Sequence, residues 1–275
     1  MDDTSTTWRS RPSGTRAIER CFAVLDAVAE RPATAGKLSQ LLELPRPTVA
    51  RLLRVLEGHG FVVADDHGVF KLGTRPVELA GLWRTQSGPA LIAEPYLRQL
   101  SNRSGESAYL CVREGFDSVW IAGFESTRAV RFSVPIGQRI SSLHAGGFHK
   151  TLLAFAPQSI IDAVLHEPLP RFTENTIVDP ERLAQELERI RIRGLGESFG
   201  EVDEGVWSIA APVRDAAGAV GVVGVGVPEA RASDDALQTI RRYVIETAAL
   251  ISQALGFRGI SRGSASFAHD TVGGG

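Results

Sequence analysis

Between Thr34 and Gly73 the chain carries two short amphipathic segments separated by a Leu44-Pro45 break, then two strand-like runs around a glycine turn. Few arrangements bury all four pieces at once. Thr34 can cap the first segment, whose Leu38, Leu41 and Leu42 fall on one side. In the second, Val49, Leu52, Leu53 and Leu56 repeat at helical spacing and form one apolar stripe, while Pro47, Arg51, Arg54 and Gly58 project from the other side. His59-Gly60 stops that helix. Residues 61–64 and 69–72, divided by Asp65-Asp66-His67-Gly68, then read as a β-hairpin.

Helix pair, tight break and hairpin together predict a winged helix-turn-helix. Arg46 and Thr48 stand at the start of the second helix, where major-groove readers meet base edges. Arg51 and Arg54 have no acidic neighbour on their face, which suits phosphate oxygens or the O6/N7 edge of guanine. His67 at the hairpin tip and Lys71 beyond it complete the candidate DNA-binding residues. Basic faces also occur on three-helix domains that never touch DNA; it is the coincidence of helix pair, arginine face and hairpin that favours double-stranded DNA as partner.

With 275 residues, 43% of them hydrophobic, the chain has material for two cores. No run of 18 or more apolar residues occurs, and residues 1–13 lack the charged-then-apolar order of a signal peptide. A cytoplasmic protein with no membrane partner is expected. The two cysteines, Cys21 and Cys111, have no metal-type spacing and fall in different expected domains, so neither a disulfide nor a metal site is predicted. Charge divides along the chain: eleven basic and nine acidic residues up to Arg75, nineteen and twenty-three after it. The DNA-binding end is therefore only mildly basic, and its character depends on where the arginines sit.

In order, a disordered arm is expected over 1–14, a winged helix-turn-helix domain over 15–75, a linker helix over 76–88, a second domain over 89–256 and a disordered tail over 257–275. The first helix of the DNA-binding domain places Ile18, Cys21, Phe22, Val24, Leu25 and Val28 on a broad apolar side, with Cys21 structural. Leu79, Leu82 and Trp83 on the linker helix need cover, either from their own domain or from a second copy of the chain. The second domain opens with a helix over 90–102, followed by three strands, 106–113, 118–124 and 130–134, read as an antiparallel meander. A glycine-rich loop, Leu143 to Lys150, enters a helix whose exposed N–H groups could seat a carboxylate or phosphate. Helices over 158–165 and 180–193, a hairpin of 205–213 with 220–227, and a closing helix over 234–255 complete it. Gly224 and Gly226 share one face of their strand and are expected to open space there.

A winged helix, a linker helix and a mixed α/β domain, in this order, resemble the isocitrate-lyase-regulator (IclR) family of bacterial transcription regulators over roughly residues 15–255. The likeness rests on Pro47-Thr48-Val49-Ala50-Arg51-Leu52-Leu53 and Phe70-Lys71-Leu72-Gly73 in the first domain. In the second it rests on Pro135-Ile136-Gly137, Leu143-His144-Ala145, Lys150-Thr151-Leu152-Leu153-Ala154 and the run Gly205-Val206-Trp207-Ser208-Ile209-Ala210-Ala211-Pro212-Val213. The resemblance implies a homodimer or homotetramer on operator DNA, with a small organic acid effector in a GAF-like second domain. Carried over by motif, the pocket would be lined by Phe132, Ile140, Gly147, Phe148, Ser198, Val206, Ser208, Gly224 and Gly226, with the Gly147–Phe148 backbone receiving the acid. The chain departs from the family pattern at Phe148-His149, Ser208, Gly224 and Gly226, which points to a larger or aromatic effector.

Enzyme chemistry has few candidates. Cys111 with His144 or His149 could pair as nucleophile and base, but Cys111 lies in mid-strand and nothing in the sequence brings it to either histidine. Glu201, Asp203 and Glu204 read as a solvated acidic cluster. With no P-loop, dinucleotide fingerprint or G-x-S-x-G, neither a cofactor nor catalysis is expected. A protein-interaction role for the second domain remains the other alternative.

Overall fold

The computed structural model describes residues 15–86 and 88–257. The arm expected over 1–14, and the expected tail apart from Phe257, lie outside the described residues. The chain divides into two compact units, one ending at Gln86 and one beginning at Ser87.

The first unit runs α1 (Arg16–Glu30), β1 (Ala33–Thr34), α2 (Ala35–Leu41), α3 (Arg46–Gly58), β2 (Val62–Ala64), β3 (Val69–Leu72) and α4 (Arg75–Gln86). The apolar stripe of α3 meets Val24 and Val28 of α1 and Leu38 of α2 in one core. Each such side chain contributes about 1.5–3 kcal/mol on burial. Thr34 Oγ1 accepts a hydrogen bond from Lys37 N at 3.4 Å and so caps α2. Between α2 and α3, Glu43 adopts a left-handed φ of 51°, and Ser39 Oγ donates to Leu44 O at 2.6 Å. This tight turn sends Leu44 into the core. In the hairpin, Asp65 Oδ1 accepts from Val69 N at 3.0 Å and His67 N at 2.9 Å, and these amides, Val69 foremost, hold its carboxyl below the usual range.

Helical spacing overstates the buried side of this unit. Ile18 and Phe22 of α1 and Leu41 of α2, expected inward, are 60%, 59% and 65% exposed; on α1, Val24, Ala27 and Val28 already fill the strip presented to the core. Cys21 is only half-buried at its edge. The two-residue β1 was not readable from pattern; it pairs with β3 and completes a three-stranded sheet, β1-β3-β2.

The second unit holds α5 (Gly88–Ser104), β4 (Ser107–Glu114), β5 (Asp117–Phe124), β6 (Arg139–Ile140), α6 (Gly147–Ala154), α7 (Gln158–His166) and α8 (Pro180–Arg193). After them come β7 (Gly196–Phe199), β8 (Val206–Asp215), β9 (Gly218–Pro228) and α9 (Asp234–Ala254). The strands form one antiparallel sheet in the order β6-β5-β4-β9-β8-β7. Alternation along β4 decides its two faces: Ala108 and Leu110 join the core under α5 and α9, while Tyr109 and Cys111 join the core under α6 and α8.

Residues 130–134, expected as a third strand, make no ladder; β6 takes the place beside β5 instead. The segment is diverted by its aromatic side chain. Phe132 packs edge-on against Tyr109 and Trp120 and fills the space that a Cβ on Gly226 would need, while Val134 N donates to Tyr109 Oη at 3.1 Å. Packing over the sheet face replaces pairing at its edge.

Candidate nucleic-acid interface and ligand cavity

On α3, Arg46, Arg51 and Arg54 are exposed and Thr48 is half-buried. Their geometry follows from the buried stripe, since fixing Val49, Leu53 and Leu56 inward leaves the arginines no other direction. None of the three arginines pairs with a carboxylate among the described residues. His67 at the hairpin tip and Lys71 on β3 are also exposed. The first unit thus gathers Arg46, Arg51 and Arg54 on one helix and sets His67 and Lys71 on the hairpin that follows. Lys37, exposed on α2, is a further cation that the sequence reading passed over.

The second unit contains a cavity of about 310 Å³ on the sheet face that carries α6. Six of the residues carried over by motif line it: Phe132, Ile140, Phe148, Ser198, Val206 and Ser208. Gly147 lies behind this wall, its N–H donating to Ser198 Oγ at 3.0 Å and Ser208 Oγ at 2.8 Å. A Cβ there would collide with the Ser208 main chain.

Gly224 and Gly226 do not open the cavity. A side chain on Gly224 would run into the β8 main chain at Ile209 and Ala210, and the space beside Gly226 is taken by the Phe132 ring. These glycines permit close approach rather than vacancy. Sequence reasoning could see that they shared a face but not what already occupied it.

At the start of α6 two N–H groups already have partners within the chain. Gly146 N donates to Glu201 Oε2 at 2.9 Å, and the Gly147 N–H is taken by the two serines. Glu201 is buried rather than solvated, and its other oxygen accepts from Lys150 Nζ, itself only 1% exposed. Glu186 stands 3.8 Å from the same ammonium. The chain thus supplies its own carboxylate to this helix terminus, where oriented N–H groups favour negative charge.

Trp120 and His149 also line the cavity, and the motif comparison had not placed either there. Trp120 packs on Phe148 at 4.7 Å and on His149 at 5.9 Å between ring centroids. The ring nitrogen Nδ1 of His149 lies 2.8 Å from Ala145 O. A carbonyl only accepts, so Nδ1 carries the proton and Nε2 presents a lone pair. Burial pushes the imidazole pKa down to about 4, which keeps it neutral. Both His149 Nε2 and Trp120 Nε1 are buried with no hydrogen-bond partner among the described residues.

The nucleophile-base alternative loses its chemistry. Burial raises the Cys111 thiol to about 12, and His144 is engaged at both nitrogens, with Ser142 Oγ at 2.9 Å and Pro170 O at 2.8 Å. Among the described residues no helix is long and apolar enough to cross a membrane.

Comparison with known proteins agrees in both units. Residues 17–66 match the IclR helix-turn-helix domain, and residues 90–253 match the bacterial transcriptional regulator IclR C-terminal family. The HTH-type transcriptional repressor AllR of Klebsiella pneumoniae is 32% identical over 254 residues, covering 90% of this chain and 93% of that protein. The HTH-type transcriptional regulator KipR of Bacillus subtilis (strain 168) is 29% identical over 248 residues, covering 88% and 98%. In fold, an IclR homolog from Microbacterium hydrocarbonoxydans, solved with 4-hydroxybenzoate, gives a TM-score of 0.75 at 24% identity, covering 87% of this chain and 98% of that one. A DNA-binding unit followed by an α/β unit, each matched in its own right, places this chain in the IclR family of bacterial transcriptional regulators.

Proposed function

We propose that this DNA-binding transcriptional regulator is controlled by a single-ring-sized effector held in the 310 Å³ cavity of its second unit. The cavity carries the reading: its volume is at the small end of ligand sites, and aromatic walls from Trp120, Phe132 and Phe148 alternate with polar groups that include His149, Ser198 and Ser208. Small organic acids, the class that the family resemblance implies, are the first to test, and the Microbacterium relative was solved with one of ring size. Arg46, Arg51 and Arg54, with Thr48, His67 and Lys71, are assigned to operator contact. A second copy of the chain covers Ile18 and Phe22 of α1 and Leu82 and Trp83 of α4, which stand exposed in the first unit. Two copies present two winged helices to a pseudo-palindromic site. Effector binding favours one arrangement of the copies, and operator affinity follows.

The test is recovery of genomic fragments by the purified full chain at fixed salt, with Arg51→Ala as control, followed by titration of the bound complex with candidate effectors. One pseudo-palindromic site, lost in the variant and released or tightened by a cavity ligand, is the expected result. A ligand that occupies the cavity without changing operator affinity would remove the effector from the proposal.

A further inference from the structure

We infer that the ligand of this cavity is a hydroxylated aromatic ring that enters hydroxyl first and donates that hydroxyl to His149 Nε2. This assignment rests on the reading of the cavity as the effector site and deepens it by naming the ligand chemistry and the residue that selects it.

Three observations converge. First, His149 is 5% exposed, lines the cavity, and has its Nδ1 proton committed to Ala145 O, so the nitrogen left over is a pure acceptor. A buried acceptor calls for a donor, and a carboxylate has none to give. Its neutral state near pH 7 removes the alternative in which an imidazolium attracts an anion. Second, Trp120 Nε1–H is an equally buried donor on the same wall. A hydroxyl oxygen donates and accepts at once, which matches this pair better than an ammonium or a carboxylate does. Third, among the described residues no Lys or Arg lines the cavity, its charged lining residues are Glu201 and Asp203, and the Gly146 and Gly147 N–H groups are engaged by Glu201, Ser198 and Ser208. With these two carboxylates on the lining, an acid group on the ligand is assigned to the exposed rim beside Ser133 and Gln138. The rings of Trp120, Phe132 and Phe148, set edge-on to one another, supply the apolar walls for a ring between these two ends.

The experiment measures affinity of the full-length protein by calorimetry for two matched pairs, phenol against toluene and 4-hydroxybenzoate against benzoate, with operator affinity read in parallel. The hydroxylated member of each pair is expected to bind about tenfold tighter, near the upper end of what one hydrogen bond to an otherwise unsatisfied buried group contributes. His149→Leu should erase most of that preference and leave toluene and benzoate nearly unchanged. His149→Gln, which keeps an acceptor, should retain part of it, and Trp120→Phe should reduce it while preserving the ring wall. These two variants keep the test open if His149→Leu fails to fold. Equal affinity within both pairs, a hydroxyl preference that survives His149→Leu, or binding by none of the four compounds would overturn the inference. The two readings fail separately. Hydroxyl-selective binding that leaves operator affinity unchanged supports the ligand chemistry and sinks effector control; operator release by benzoate alone does the reverse.

Discussion

Replacing Lys150 by Met removes a charge from one of the most enclosed positions in the second unit while keeping the length of the side chain. Lys150 is 1% exposed and its partner Glu201 has a side chain 8% exposed, so neither charge is compensated by solvent. With the ammonium gone, the Glu201 carboxylate keeps one described donor, Gly146 N. Breaking a buried pair from one side leaves an uncompensated charge and typically costs about 3–5 kcal/mol. Against a domain stability of about 5–15 kcal/mol, that is a large share. Glu201→Gln should cost less, because Glu186, 3.8 Å from the ammonium and with a side chain 19% exposed, can take over as counter-ion. The double variant Lys150→Met/Glu201→Gln should then be more stable than Lys150→Met alone, since the stranded carboxylate has been removed. Urea unfolding of all four proteins, fitted for the transition of the second unit, supplies the double-mutant cycle. A Lys150→Met cost below about 1 kcal/mol, or a double variant equal to the sum of the singles, would show that the pair is neither buried nor coupled as described.

Stability should also fall on mild acidification. Above pH 6.5 His149 is neutral folded and unfolded; below it the unfolded chain takes a proton that the folded protein refuses until about pH 4, so about 2 kcal/mol is lost by pH 5. Burial of His144 lowers its pKa and adds in the same direction; a urea midpoint whose change between pH 7.5 and 5 is the same in His149→Gln would contradict the assignment. Arg51→Ala should weaken operator binding by about 1–3 kcal/mol with loss of sequence preference if it reads a base, or uniformly, with a salt slope reduced by about one, if it contacts phosphate. Binding unchanged at matched salt would remove Arg51 from the interface. Gly226→Ala must displace the Phe132 ring and should lower stability by about 1–3 kcal/mol, measured as a drop in melting temperature. An unaltered melting temperature would mean that the ring does not lie where it is described.

What could be read from sequence was local. The α3 stripe, the Asp65 to Gly68 turn and the β8–β9 hairpin depend on neighbours within a few residues, and periodicity or turn chemistry reveals them. The misreadings involve distance along the chain. Asp203 and Glu204 are exposed as their acidic run suggests, but Glu201 reaches Lys150 across 51 residues and ends in a buried ion pair. Residues 130–134 have the composition of a strand, but Gly226 and Tyr109, far from them in sequence, offer Phe132 a packing site instead. Ile18, Phe22 and Leu41 fit the helical period yet stay exposed, because spacing reports apolarity and not which partner covers it. His149 was visible as a departure from the family pattern; its role as an acceptor depends on the Ala145 carbonyl one helical turn back.

The unpaired segment that carries Phe132 has a consequence for how such a protein changes over time. Its main chain contributes nothing to the sheet ladder, and it is fastened by side chains: Tyr109 Oη to Val134 N, and Glu125 to Ser133 Oγ at 2.6 Å and to Arg131 Nε at 2.8 Å. Substitutions along it reshape one wall of the cavity while every strand keeps its register. Ligand preference can therefore drift at this edge without drawing on the stability of the fold, provided that whatever replaces Phe132 still covers Gly226.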